Sequence, residues 1–462
     1  MTKTTDRCNV SAYSKKHGLA ALSLVTALLF CAVPVGAWVD LQDDLSRDAH
    51  DGMHVTDGSY VMNVGELHIN ITNMGLIGSW YSSNTILSDA PSAQWPAGSG
   101  NEYLWSAGLW VGGVLLGERL VSTGQYAREF RPLDPLEDTI YEAKDGVLER
   151  PIYGNLEAGG VREPETEPDD DEDGLIDEEI LNGYDDDEDG EIDEDFGQIG
   201  NQMMVCTMYD NTRLAAEAYP DHTPLNLKVV MNSYAWENNS TDDFVGFEFF
   251  ITNIGVTDID NVYIGFFADC DIGSRGADGS AEDDMAGFWQ GMVRASDNSF
   301  IPISVGYMFD AAEGNALPGY FGILFLGHDT DPTGRRAPET VGIRSYQNFS
   351  GQSSFDQGGD PTNDAERYEL LSLEDIDADT PEGRQNDFRF MVSAGPFVRL
   401  EPDDVLQFQA AMVVGPGLNG MLSHCAEAAL TWFGNYFNND GDVETGINGR
   451  ETKLCREDFE GS

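Results

Sequence analysis

Phe244-Val245-Gly246-Phe247-Glu248-Phe249-Phe250-Ile251-Thr252 and Val262-Tyr263-Ile264-Gly265-Phe266-Phe267-Ala268 decide the fold class. Both are short runs dominated by aromatic and β-branched side chains, the composition of buried strands. Working outward, Leu225–Trp236 and Gly319–Leu326 read the same way, so residues 199–327 form the clearest β region. Phe388–Phe397 and Val405–Val414 add two more strands, joined by the turn Leu400-Glu401-Pro402-Asp403-Asp404. On the N-terminal side Gly65–Ile71 alternates apolar and polar residues, the period of a half-buried strand. Leu104–Leu116 is apolar and glycine-rich, and Val121–Phe130 reads as a further strand. Ile251-Thr252-Asn253-Ile254-Gly255 echoes Ile71-Thr72-Asn73-Met74-Gly75; related sandwich modules and one hairpin turn used twice explain it equally well. Residues 328–386 are polar and read as a long surface excursion with a short helix near Asp364–Leu373. Asn419–Phe437 has helical spacing in Leu422, Cys425, Ala426, Ala429, Leu430 and Phe433. The expectation is an all-β fold: two immunoglobulin-like or jelly-roll-like sandwich modules, residues 38–160 and 199–437, joined by residues 161–198. One C-terminal helix (419–437) and a polar tail (438–462) complete it.

The joining segment is unusual. Residues 163–195 carry 20 acidic side chains and no basic one. Asp169-Asp170-Asp171-Glu172-Asp173-Gly174-Leu175-Ile176-Asp177-Glu178 is repeated 16 residues later as Asp185-Asp186-Asp187-Glu188-Asp189-Gly190-Glu191-Ile192-Asp193-Glu194. A merely acidic run has no reason to repeat a glycine and an isoleucine in register. Ca²⁺ takes about 6–8 oxygen ligands, and carboxylates at positions 1, 3 and 5 of a tight loop converge on one point. Glycine at position 6 permits the turn that aims the next carbonyl at the same point. The expected ligands are Asp169, Asp171, Asp173 and the Leu175 carbonyl, then Asp185, Asp187, Asp189 and the Glu191 carbonyl. The EF-hand pattern fails at position 12, which holds Ile180 and Phe196 instead of a bidentate Glu. Asp177 or Glu178, and Asp193 or Glu194, are the alternatives. A solvated acidic linker is the competing reading. Acids after the strand ending at Ala268 (Asp269, Asp271) and later Asp283 and Asp284 suggest a second metal site, with a solvated loop held by Cys270 as its alternative.

The repeats resemble the shortened D-x-D-x-D-G calcium loops of bacterial surface proteins, and thrombospondin type 3 and dockerin loops. That resemblance favours Glu178 and Glu194 as the bidentate ligands. With Glu102–Gly112 and Phe388–Phe397, they give the chain the layout of uncharacterised secreted bacterial proteins that join β-sandwich segments to tandem calcium-binding repeats.

Lys3, Arg7, Lys15 and Lys16 precede an apolar run, Leu19–Val35, that ends in Gly36-Ala37. Residues 1–37 read as a secretory signal peptide, and no later run is long enough to span a membrane. Export makes the chain secreted, extracellular or cell-surface, with the periplasm as an alternative. Cys206, Cys270, Cys425 and Cys455 remain after processing, and an even count in an exported chain suggests disulfides. Local pairing favours Cys206–Cys270 and Cys425–Cys455, against four buried thiols. A formal charge of −57 makes nucleic acid a poor partner, because binding it needs cationic neutralisation of phosphates.

Trp80, Tyr81, Trp95, Tyr103, Trp105 and Trp110 read first as core and second as a sugar-binding platform. No H-E-x-x-H, G-x-S-x-G, P-loop or dinucleotide fingerprint occurs. The functional expectation is a non-catalytic calcium-binding structural or adhesive protein, with cell-surface glycan or other surface proteins as partners. The alternative is a secreted polysaccharide-binding or glycoside-hydrolase-like protein with the repeats as a spacer.

Overall fold

The structure, a computed structural model, describes residues 58–79, 90–125, 127–133, 140–144, 181, 199–275, 281–312, 317–351, 353–381 and 383–433. Before the acidic segment come β1 (Ser59–Met62), β2 (Ile69–Thr72), β3 (Leu76–Gly78), β4 (Asn101–Glu102), β5 (Ser106–Leu115), β6 (Glu118–Thr123) and β7 (Ile140–Lys144). After it come β8 (Gln202–Tyr209), α1 (Arg213–Ala218), β9 (Leu227–Ala235), β10 (Phe244–Asn253), β11 (Ile259–Asp269) and β12 (Gly273–Ser274). The hairpin β13 (Asp284–Arg294) and β14 (Phe300–Asp310) leads to β15 (Gly319–His328), β16 (Ser345–Ser350) and α2 (Asp364–Ser372). The last elements are β17 (Phe388–Leu400), β18 (Val405–Pro416) and α3 (Gly417–Phe433).

The strands form two antiparallel sheets. The first runs β1-β2-β3-β5-β11-β17-β16, with β6 also on β5; the second runs β13-β14-β15-β18-β10-β9-β8-β7. A two-stranded ladder of β4 and β12 stands apart. The all-β class and the closing helix are as expected. The division into modules before and after residues 161–198 is not. β5 pairs directly with β11, and β7 with β8, so strands from both sides of the acidic segment lie in the same sheets. The physical reason is the shared core. Leu109 and Val111 from β5 are buried in one cluster with Phe247, Phe266, Phe408 and Met412.

The central strands of each sheet are buried on both faces, which explains why they read as nearly continuous apolar runs. Along β10, Val245, Phe247, Phe249 and Ile251 face the core between the sheets, while Phe244 belongs to a second cluster with α3. Phe266 of β11 meets Phe249, Phe325 and Phe408 of the opposite sheet at ring-centroid distances of 5.4, 6.3 and 6.4 Å. Burying each such ring contributes about 1.5–3 kcal/mol. On the outer face of the first sheet, α2 sets Tyr368, Leu370 and Leu371 in a third cluster with Trp110, Phe267 and Met391. Gly112 and Gly265 leave room for Leu371 there; a Cβ on either would crowd its methyl groups. The layers are therefore α2, first sheet, second sheet, α3.

α2 begins where expected, because the Asn363 side chain accepts the Glu366 N–H at 3.1 Å. The Glu366 carboxylate accepts in return from the Thr362 N–H at 2.7 Å. The polar stretch 328–386 is not only surface: it also supplies β16, whose Tyr346 is fully buried. β17 and β11 slip register between Val262 and Ile264, opposite Gly395-Pro396. Proline has no N–H for the ladder, so a bulge falls there.

The expected Cys206–Cys270 disulfide does not form. Cys206, Cys270 and Cys425 are buried thiols. The Cys206 thiol lies 3.8 Å from the Thr72 carbonyl oxygen on the second sheet's inner side. Cys270 directly follows the end of β11 on the first sheet, where burial and then Asp284, Asp269 and Asp271 push its thiol well above the ordinary range. The Cys425–Cys455 pairing and the signal peptide involve residues outside the described ones.

Candidate functional site

Two places concern cations. The first is the base of the acidic segment. β7 and β8 are adjacent antiparallel strands, with Lys144 opposite Gln202. The chain therefore leaves the second sheet at residue 145 and re-enters it beside its point of departure. The acidic segment is an excursion from a hairpin, not a link between modules. Asp169, Asp171, Asp173, Leu175, Asp177, Glu178, Asp185, Asp187, Asp189, Glu191, Asp193 and Glu194 all lie outside the described residues. Leu181, which falls between the two repeats, is described and is 1 % exposed. It belongs to the buried cluster of Tyr141, Ala143, Ile199 and Met203, on the second sheet. The hairpin base is bonded to the first sheet's leading segment: Gln202 Oε1 accepts from the Asn63 N–H at 2.8 Å and the Val64 N–H at 3.1 Å. Lys144 Nζ donates to Asn63 Oδ1 at 2.7 Å.

The second place is where β11 ends beside the start of β17. Asp269 is the last residue of β11, and its cross-strand neighbour is Arg389. Carboxylate oxygens of Asp269, Asp271 and Asp387 all lie within 4.8 Å of one another. Arg389 Nη1 donates to Asp387 Oδ1 at 2.9 Å, and its Nε stands 3.2 Å from Asp269 Oδ2 and 3.6 Å from Asp360 Oδ1. Asp269 is 4 % exposed, and its Oδ1 has no hydrogen-bond partner among the described residues. Burial raises the Asp271 carboxyl to about 6, with Asp387 adding to the rise and Arg389 opposing it. Burial likewise lifts Asp269 well above the carboxylate range, against the pull of Arg389. Arg389 stays charged despite its burial, because Asp269, Asp360 and Asp387 surround it.

The sequence-based set for this place was therefore half assembled. Asp269 and Asp271 meet; Asp283 and Asp284 are not in the group. Asp284 opens β13 opposite Asp310, and its Oδ2 accepts the Ile272 N–H at 3.0 Å. The Asp283 carbonyl accepts the Ala311 N–H at 3.0 Å, tying the residue before β13 to the residue after β14. Asp387 and Arg389 were missed. Their only signal was an acidic residue and an arginine at the entry of a predicted strand, which becomes informative once β17 is known to pair with β11.

Of the aromatic residues named in the first segment, three are core and Trp105 is half-buried. Tyr103 and Trp110 are fully buried and Trp95 nearly so; Trp80 and Tyr81 lie outside the described residues. A cleft of about 890 Å³ opens elsewhere, beside the end of α3, lined by Gln290, His328, Arg344, Gln407, Trp432 and Phe433 among others. His328 is fully engaged in it: Nδ1 donates to the Asp329 carbonyl at 2.7 Å and Nε2 accepts the Gly342 N–H at 3.3 Å. Burial lowers its pKa, which keeps it neutral. Among the described residues no helix is long and apolar enough to cross a membrane.

No protein-family model matches the chain, and no curated protein matches it.

Proposed function

We propose that the chain is an exported, non-catalytic calcium-binding protein with a structural or adhesive role at or outside the cell surface. The acidic repeats capture Ca²⁺, and capture folds the excursion down onto the second sheet. The observation that carries this reading is Leu181. It is a buried apolar anchor between two runs of carboxylates, in a segment whose ends enter neighbouring strands. Two unit charges 4 Å apart repel by about 4 kcal/mol at an effective dielectric constant near 20. Folding 20 carboxylates against the body without cations is therefore costly. Ca²⁺ in each loop removes that cost and lets Leu181 stay docked. The pairing of β7 with β8 changes the role expected for calcium: it acts on a segment that leaves and returns to one sheet, not on the angle between two modules.

Calorimetric titration of the Asp171→Ala, Asp187→Ala double variant tests the ligand assignment. It takes up fewer Ca²⁺ equivalents than the parent chain and keeps the parent's β-sheet circular dichroism. Unchanged stoichiometry rejects the assignment.

A second reading, binding of a polysaccharide, draws support from the cleft, where Trp432 and Phe433 sit among amide side chains. Aromatic faces and amide groups together suit the apolar and hydroxyl-bearing faces of a sugar. Glycan-array binding lost on Trp432→Ala supports it; an empty array leaves the structural reading.

A further inference from the structure

We propose that Asp269, Asp271 and Asp387 hold one hard divalent cation, Ca²⁺ by preference, at the end of the first sheet and separate from the acidic repeats. Three features of the geometry lead there. The first is distance. Oxygens that ligate one Ca²⁺ at about 2.3–2.6 Å from opposite sides stand about 5 Å apart, and these carboxylate oxygens lie within 4.8 Å of one another. The second is an unmet acceptor. Asp269 Oδ1 belongs to a side chain more than nine-tenths buried and has no hydrogen-bond partner among the described residues. A buried acceptor left unpaired costs about 1–3 kcal/mol, and more when charged. The third is charge. Asp269, Asp271 and Asp387 crowd three carboxylates together beside the Arg389 guanidinium, which pairs with Asp269 and Asp387. Arg389 reaches Oδ2 of Asp269 and Oδ1 of Asp387, so it does not take up Asp269 Oδ1. Carboxylates this close repel one another when ionised, and a divalent ion among them offsets that repulsion.

Asp269 is buried while Asp271 and Asp387 are half-exposed, so an ion enters from solvent and keeps water on its outer side. An all-oxygen, partly hydrated, irregular set suits Ca²⁺ better than Mg²⁺, which demands near-ideal octahedral geometry. The bound ion ties the end of β11 to the entry of β17, two neighbouring interior strands of the first sheet. It also fixes the turn that carries Asp271 toward the β4–β12 ladder.

The site does not depend on the repeats, and the test separates them. The chain without residues 1–37 is titrated calorimetrically with CaCl₂ in four forms: parent, Asp271→Asn, Asp171→Ala with Asp187→Ala, and all three changes together. Asp271→Asn is expected to remove one equivalent in both backgrounds, while the thermal transition of the metal-free protein stays as in the parent. Asp387→Asn, also half-exposed, removes the same equivalent. One equivalent surviving in the repeat variant and lost on adding Asp271→Asn establishes the site, even if the repeats themselves bind nothing. Stoichiometry unaffected by both Asp271→Asn and Asp387→Asn overturns it.

Discussion

Leu181 is the buried residue between the two acidic repeats, and the proposed role makes it their anchor. Truncating a fully buried leucine costs about 2–5 kcal/mol. Leu181→Ala is therefore expected to release the excursion without unfolding the sheets. The readout is protease cutting between residues 145 and 201 in saturating Ca²⁺, faster by about 30-fold for a loss near 2 kcal/mol; cutting at the parent rate contradicts the anchoring. The cysteines give a second residue-scale prediction. Cys206, Cys270 and Cys425 are buried thiols, and burial raises both Cys270 and Cys425. Thiolate is the reactive form. Native protein should leave these three unlabelled by iodoacetamide, and denatured protein should label them without prior reduction. A need for reductant at Cys206 or Cys270 contradicts the structure. Asp331 is a pH probe of the loop after β15. The Thr333 N–H and hydroxyl, followed by the Arg336 and Arg335 amides, hold its carboxyl at about 2. A depressed carboxylate stabilises its loop at pH above its unfolded value, and the contribution is lost as pH falls through the folded one. A carbon-detected titration of Asp331 with a midpoint near the ordinary 3.8 would rule out those hydrogen bonds.

At the scale of elements, the helices act as covers. α2 lies over Trp110 and Phe267, whose stacked rings are 5.3 Å apart, and α3 covers the outer face of the second sheet. Asn363→Ala removes the cap of α2 and should cost about 1 kcal/mol, read from the urea midpoint at unchanged slope. No change in midpoint would mean that α2 contributes nothing as a cover. Much at this scale was legible. The strands of β10, β11, β17 and β18 and the spacing of α3 follow from local apolar pattern, because doubly covered strands are apolar throughout. β7, β13 and β16 were not legible. β7 is five residues long, β13 interrupts its apolar pattern with Gly287 and Gly291, and β16 is the polar run Ser345-Tyr346-Gln347-Asn348-Phe349-Ser350. Each is held by pairing with distant strands rather than by its own composition. The carboxylate cluster divides the same way: Asp269 and Asp271 stood out at the end of a readable strand, while Asp387 and Arg389 become visible only through the β11–β17 register.

At the scale of the molecule, sequence order misled about domains. A charged segment in mid-chain looks like a linker, yet its ends enter neighbouring strands, and the chain before it supplies strands to both sheets. Local composition carries no information about which strands pair across it. One shared core implies one cooperative transition. Scanning calorimetry of the chain without residues 1–37 should give a single endotherm with equal calorimetric and van't Hoff enthalpies, whereas two independent transitions would restore two modules. The charge of −57 adds self-repulsion that cations relieve. Calcium capture by the excursion is the claim on which the functional reading stands. Limited proteolysis with mass-mapped cut sites, in Ca²⁺ and in chelator, tests it most directly. The prediction is that Ca²⁺ suppresses cutting throughout residues 145–201 and chelator restores it, while the sheets resist in both; equal cutting of that segment with and without Ca²⁺ would contradict the account.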